Sequence, residues 1–318
     1  MSRRPQPVAS VAVVTDSTAS LPEGVAERWG IGVVPLGVVV DGVEHVEGVD
    51  LLSSGLLTAL THGSRKVTTS QPPPAAFAAA YQRAAAAGAR EIVSVHLSGE
   101  LSGTVRAAQL AAGSSPVPVH VVDSRAVGMA LGFAVVGAAR LAATPLPPHA
   151  APTGLLAGAR SWWHDRQRVE PVRPTADDVA SCARRTAESA RVWFLVDSLE
   201  HLRRGGRLSA PAAALGTVLG LRPILTLSDG GVALLERVRT RRAGRDRLVA
   251  LALADVSARS SARVAVHHLG QPEVAQTLAN ELVAALGDRL VEVVVSESSA
   301  VLAAHAGPGV LGIVVADA

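Results

Sequence analysis

The side chains of this sequence best placed to do chemistry are hydroxyls, gathered in four short clusters. Thr15–Ser17, Ser98–Thr104 and Asp123-Ser124 stand where an apolar, β-branched run gives way to a helical pattern, and Thr68-Thr69-Ser70-Gln71 also precedes a helix. A hydroxyl in such a place most simply caps the helix, its oxygen accepting from a free backbone N–H. Several such clusters invite a second reading, because the strand ends of a parallel sheet share one edge, where ligands bind. Free N–H groups and hydroxyls together favour an anionic or carboxylic headgroup.

Other chemistries fit less well. The segment Ser98-Gly99-Glu100-Leu101-Ser102-Gly103-Thr104 is glycine-spaced but lacks the Gly-Lys-Ser/Thr ending of a phosphate loop. Gly128 to Gly132 does not supply a dinucleotide fingerprint. His96-Leu97-Ser98-Gly99-Glu100 lacks the Gly-x-Ser-x-Gly elbow of a serine hydrolase. A stand-alone acyl ester hydrolase, with His305 approaching a serine in space, remains the rival reading. His267 and His268 are adjacent on an expected strand, so they point to opposite faces, a poor spacing for a metal pair. One is expected to face the core and the other solvent. His305 precedes Ala306-Gly307-Pro308-Gly309, expected to be a rigid turn holding the imidazole in place. No metal and no cofactor are expected.

The basic residues are almost all arginines. Lys66 is the only lysine among 30 Lys and Arg, the formal charge is +3, and the pI is about 9.9. That pI reflects side chains that do not titrate rather than a large positive charge, and it argues weakly for nucleic acid. The runs Arg203–Arg207 and Arg237–Arg247 lack interleaved aromatics and read as solvated faces, or as sites for an acidic or phosphoryl partner. Cys182 is the only cysteine, which excludes an internal disulfide. Neither a signal peptide nor a membrane span is read, so a cytoplasmic protein without stable membrane insertion is expected.

The 318 residues suggest two domains, here drawn at 1–150 and 151–318. In the first half strands are expected at Val8–Val14, Glu91–Leu97 and Val117–Val122. An apolar run, Ile31–Val40, leads through Asp41-Gly42 into a hairpin ending near Val49. Helices are expected over Pro22–Trp29, Leu51–Thr61, Pro73–Ala87, Ser102–Ala112 and Val127–Ala142. Strand and helix in alternation predict a parallel sheet covered on both faces, a three-layer α/β/α domain. Residues 146–174, rich in proline and arginine around Trp162-Trp163, read as a linker or insertion.

The second half reads as a smaller α/β domain with a mixed or antiparallel sheet. Helices are expected over Ala176–Ser189, Ser209–Val218, Ala243–Ala258 and Pro272–Leu286. Strands are expected at Val192–Val196, Arg263–His267, Leu290–Val295 and Val310–Val315, with a hairpin of Arg222–Leu227 and Val232–Val238 about Asp229-Gly230-Gly231. Arg203–Arg207 reads as a tight basic turn.

Taken in order, these segments resemble the DegV family. The resemblance rests on Val14-Thr15-Asp16-Ser17-Thr18, Val34-Pro35-Leu36, Thr69-Ser70-Gln71-Pro72, Val95-His96-Leu97-Ser98 and Leu101-Ser102-Gly103-Thr104. It continues through Val122-Asp123-Ser124, Asp197 to Leu202, Arg203 to Arg207, Arg222-Pro223-Ile224-Leu225 and His305-Ala306-Gly307-Pro308-Gly309. It implies a non-enzymatic two-domain α/β protein that buries a long-chain fatty acid such as palmitate in an interdomain tunnel. Some family members present that acid to a separate ATP-dependent fatty acid kinase. The resemblance gives carboxyl binding to Thr69, Ser98 and His305, with Asp16, Ser17, Ser70, Ser102 and Thr104 in the wider headgroup region. Arg204, Arg207, Arg237 and Arg239 would face the kinase. The sequence departs from the family in its long 146–174 segment and in Gly99, where a second serine is common.

Overall fold

The computed structural model describes residues 10–51, 53–61, 66–144, 173–208 and 221–318. Three sheets organise them. The first is parallel, in the order β2 (Gly32–Val34), β1 (Val11–Asp16), β6 (Glu91–His96), β7 (Val119–Asp123). The second is mixed, in the order β10 (Gly231–Val238), β9 (Arg222–Ser228), β8 (Arg191–Leu195), β13 (Leu311–Asp317), β11 (Ala262–His268), β12 (Leu290–Glu297). Within it only the β11–β12 pair is parallel. The third, antiparallel and small, runs β4 (Val43–Val46), β3 (Gly37–Val40), β5 (Val67–Ser70).

Helices fill the spaces between sheets. On one face of the parallel sheet lie α3 (Pro74–Ala86) and α4 (Thr104–Ala112), burying Phe77, Tyr81 and Ala108 against Val14, Val34 and Ile92. On its other face lie α5 (Met129–Ala143) and α6 (Ala176–Ser189), and the same apolar cluster reaches Ala265, Val314 and Ala316 of the mixed sheet. One helical layer therefore serves two sheets. The composition of α5 allows this: it is built of Ala, Val, Leu, Gly and Phe almost all round, as a helix buried on every side must be. The start of α6 is fixed by a capping box in which Thr175 accepts from the Asp178 N–H and Asp178 accepts from the Thr175 N–H. The far face of the mixed sheet carries α8 (Arg241–Ser257) and α9 (Pro272–Leu286). The small sheet packs with α2 (Ser53–Thr61), α7 (Glu200–Gly205) and α10 (Ala300–Ala306) in a cluster that also takes in Leu225 and Val232 of the mixed sheet. The short helix α1 (Val25–Trp29) follows β1.

Several expectations need correction. The run Ile31–Val40 is two strands in two sheets, because Pro35 has no N–H to continue a ladder. Thr68, Thr69 and Ser70 belong to strand β5, paired with β3, and not to a helix start. Arg203 and Arg204 lie on α7 rather than in a turn, and the chain reverses at Gly206, where φ is +68°. His305 stands in the last turn of α10, a helix the sequence reading lacked, since seven residues give too little periodicity to read. His267 and His268 are both buried, so neither faces solvent. The hairpin at Asp41-Gly42 is present, both residues at positive φ as a tight primed turn requires. The expected helix Ser209–Val218, most of the 146–174 segment and the expected domain border at 150/151 lie outside the described residues.

Candidate functional site

The three sheets converge on a cavity of about 290 Å³. Apolar side chains make most of its wall: Leu97 and Leu101 after β6, Phe194 of β8, Leu227 of β9, Val301 of α10 and Val314 of β13. Among the described residues the polar lining is limited to Thr69, Ser70, Gln71, Ser102, Arg207, His267, Ser298 and His305. A mainly apolar hollow with a few convergent polar groups is the usual form of a small-molecule site.

In its wall Thr69 Oγ1 and His305 Nε2 are 2.8 Å apart. Thr69 reaches the imidazole because β5 is extended and its neighbouring side chains alternate between faces. Arg207 stands beside them, its Nε donating to the Leu101 carbonyl at 3.1 Å. Burial, then the nearby Arg207 charge, then His201, push the His305 pKa down to about 4. His305 is therefore neutral near pH 7, with one ring nitrogen a donor and the other an acceptor. Ser102 Oγ lies 2.8 Å from Thr104 Oγ1, and Gln71 packs directly over Gly103, where a β-carbon would collide with it.

His267 forms another part of the wall. Its Nε2 accepts from the Met129 N–H at 2.8 Å, while Nδ1 lies 3.2 Å from the Ser296 carbonyl. An acceptor at Nε2 puts the proton on Nδ1, and burial drives the pKa down to about 4.

Of the remaining expected site residues only Ser70 reaches the cavity. Ser98 is fully buried but is not among the lining residues; its Oγ accepts from the Glu100 N–H at 3.3 Å and sits directly beneath Gly230, the φ +81° tip of the β9–β10 hairpin. That hairpin is clasped from outside by Arg125, which donates to the Asp229 carbonyl. Thr104 is likewise buried behind the wall. Asp16 accepts from the Thr18 N–H and hydroxyl, His96 Nδ1 and the Leu97 N–H, which fills its acceptor sites and leaves it nothing to donate to a carboxylate headgroup. Ser17 accepts from the Leu36 N–H at 3.0 Å and so supports a wall residue rather than lining the cavity itself. Ser70 lines the cavity but donates to Glu44. Arg204 is exposed and pairs with Glu200 at 3.2 Å. Arg237 lies on β10 and Arg239 is exposed just beyond it; neither touches the cavity.

The sequence reading did not single out Gln71 or His267 as wall residues, and it placed Arg207 outside. Gln71 belongs to the Thr69-Ser70-Gln71-Pro72 motif, but its seat over Gly103 depends on two segments meeting in space. The serine hydrolase reading finds no support in the placement of its residues: His305 bonds to Thr69, and Ser98 lies under the hairpin. A Ser–His–Asp chain does exist, as Ser94 Oγ···His96 Nε2 at 2.6 Å and His96 Nδ1···Asp16 Oδ2 at 3.0 Å. All three side chains are fully buried, and neither Ser94 nor His96 lines a described cavity.

Relatives place this architecture. The family model described as "Uncharacterised protein, DegV family" matches residues 10–150 and 174–318. The chain belongs to the DegV family. It is 42% identical over 310 residues to a DegV domain-containing protein of Streptomyces coelicolor, covering 96% of this chain and 98% of that one. A DegV domain-containing protein of Mycobacterium tuberculosis is 35% identical over 309 residues, covering 96% and 97%. Among solved structures, a Thermus thermophilus DegV family protein described by its fatty acid binding superposes with a TM-score of 0.80 at 32% identity, covering 97% of this chain and 99% of that one. DegV of Bacillus subtilis, described as a fatty acid binding protein, gives 0.80 at 29% with the same coverage. No helix among this DegV chain's described residues is long and apolar enough to cross a membrane.

Proposed function

We propose that this protein binds a long-chain fatty acid, its tail in the 290 Å³ cavity and its carboxylate against Thr69 and His305. The carrying observation is the hydroxyl–imidazole pair in the wall of an otherwise mainly apolar hollow. Each buried methylene contributes about 0.8 kcal/mol, so a long tail gains on the order of 10 kcal/mol before association costs. An unpaired carboxylate there would cost several kcal/mol, so it needs donors and a positive charge. Beyond its own hydrogen bond the Thr69–His305 pair has one proton left to donate, from the hydroxyl or from the ring according to the tautomer; Arg207 supplies charge, and Ser102 is a further hydroxyl in the wall. In this reading Ser102 takes the part that the family resemblance assigns to Ser98, while Ser98 supports the wall from beneath Gly230. Residues 1–150 and 151–318 are then two lobes about the ligand, in a protein that carries rather than transforms it.

Mass spectrometry of lipid extracted from the purified protein tests the reading. A stoichiometric fatty acid is expected, and its occupancy should collapse in Thr69→Ala/Ser102→Ala while Ser98→Ala retains it. An empty wild-type protein that also takes up no added fatty acid would overturn it. Presentation to an ATP-dependent fatty acid kinase is the second part of the proposal. Exposed Arg204 and Arg239 support it. Arg239→Ala should slow acyl phosphate formation with such a kinase and leave fatty acid affinity unchanged; equal turnover would remove that role.

A further inference from the structure

The small sheet holds α10 at two places. Glu47, just beyond β4, is 7% exposed, and its Oε1 accepts the Val301 N–H at 3.0 Å. Thr69, on β5 of the same sheet, meets His305 at 2.8 Å. Val301 and His305 are four residues apart, so the two contacts lie about one turn apart along one face of the helix. With seven residues α10 is too short to be stable by its own ladder. Its first turn depends on partners for its free N–H groups: Glu47 serves Val301, and Ser299 Oγ serves Leu302 at 3.2 Å.

Glu47 is itself held in place. Its N–H donates to the Leu36 carbonyl at 3.0 Å, and the Leu36 N–H donates to Ser17. Burial raises its pKa, opposed by the nearby Ser17 hydroxyl, the Val301 N–H, the Ser299 hydroxyl and the Ala300 N–H. A carboxyl this buried is costly unless its contacts are needed. Leu36, Val301, Leu302 and His305 all line the cavity, so the path from Ser17 through Glu47 runs behind its polar wall.

We propose that Glu47 is the positioning residue of the headgroup site: by fixing the first turn of α10 to the small sheet, it sets where His305 meets Thr69. This rests on the fatty-acid reading for its binding consequence alone. Two measurements test it. One is the titration of the His305 ring by NMR in delipidated protein. The other is the affinity for a fluorescent long-chain fatty acid. In Glu47→Ala the released helix should admit water, moving the His305 midpoint from about 4 toward 6.5 and weakening binding about tenfold. Glu47→Gln keeps an acceptor and should stay within about threefold of wild type. Val256→Ala, a cavity in the core beneath α8, should lower the melting temperature without moving His305. If Glu47→Ala does not fold, Glu47→Asp, one methylene shorter, should shift both readings the same way by less. An unmoved His305 in Glu47→Ala or, where that variant does not fold, in Glu47→Asp, or an equal shift in Val256→Ala, overturns the proposal. A wild-type protein that binds no fatty acid would defeat the functional reading alone, because the His305 titration still decides the role of Glu47.

Discussion

Ser94–His96 and Thr69–His305 are each a hydroxyl within hydrogen-bond reach of an imidazole, at 2.6 and 2.8 Å. The first continues to Asp16 on one side and to Tyr81 on the other, whose hydroxyl lies 3.0 Å from Ser94; burial pushes the Tyr81 pKa up to about 12. Every member of that chain is fully buried. The second pair stands in a cavity wall with Arg207 alongside. Residue types alone would favour the first as a catalytic centre, since it has the connectivity of a triad. Access reverses the ranking. A satisfied polar network deep in a sheet specifies packing, whereas a smaller network beside open volume is available to a ligand.

Breaking the sealed chain should have the largest effect. Asp16→Ala leaves four donors without an acceptor and should cost about 3 kcal/mol or more in denaturant unfolding. Any binding defect in that variant should follow the unfolded fraction. If instead stability holds and binding fails, the division between the two pairs is wrong.

His267 lies between the extremes, hydrogen-bonded on both sides yet part of the cavity wall. Its folded-state pKa of about 4 is below the ordinary 6.5, so between those values the unfolded chain takes up a proton that the folded one refuses. Stability should therefore fall as pH drops from 6.5 to 4, by up to roughly 3 kcal/mol from this group. His305 acts in the same direction, while the raised pKa of Glu47 acts oppositely, stabilising the folded state as pH falls toward 4.5. Thermal melts against pH should be shallower for His267→Gln, which can keep both hydrogen bonds without titrating.

Opening the accessible pair should change binding rather than folding. Thr69→Ala is expected to weaken fatty acid affinity about tenfold and to move the melting temperature little, since it removes one part-buried hydrogen bond. Smallest and most remote, Thr175→Ala removes a helix cap from α6 and should cost about 1 kcal/mol of stability with unchanged binding.

The elements were largely legible in the sequence where the pattern is long or punctuated. Ala176–Ser189 and Pro272–Leu286 are observed with the expected ends, because Thr175 with Asp178 and Pro272 mark their starts. The short elements were not. Val67–Ser70 and Ala300–Ala306 are too brief to show a period, and they carry Thr69 and His305. Thr69 stands out in a hydroxyl cluster and His305 beside a Gly-Pro-Gly turn, and the family resemblance gives them a common carboxyl; their partnership depends on a sheet and a helix too short to show in the pattern. Ser98 and Ser102 illustrate a second limit. Both follow the same strand within one hydroxyl-rich turn, and only the course of the chain past Gly230 and Gly103 decides which faces the hollow.

The helical layer shared by two sheets has a consequence for how the molecule is made. Of the 15 residues of α5, 11 are buried, some against strands that lie more than a hundred residues further along the chain. During synthesis from the N-terminus, the parallel sheet and α5 emerge while β11 and β13 are still untranslated. The nascent half thus leaves the ribosome with an oily flank that only its own C-terminal half can cover, and that interval is when it most needs a chaperone.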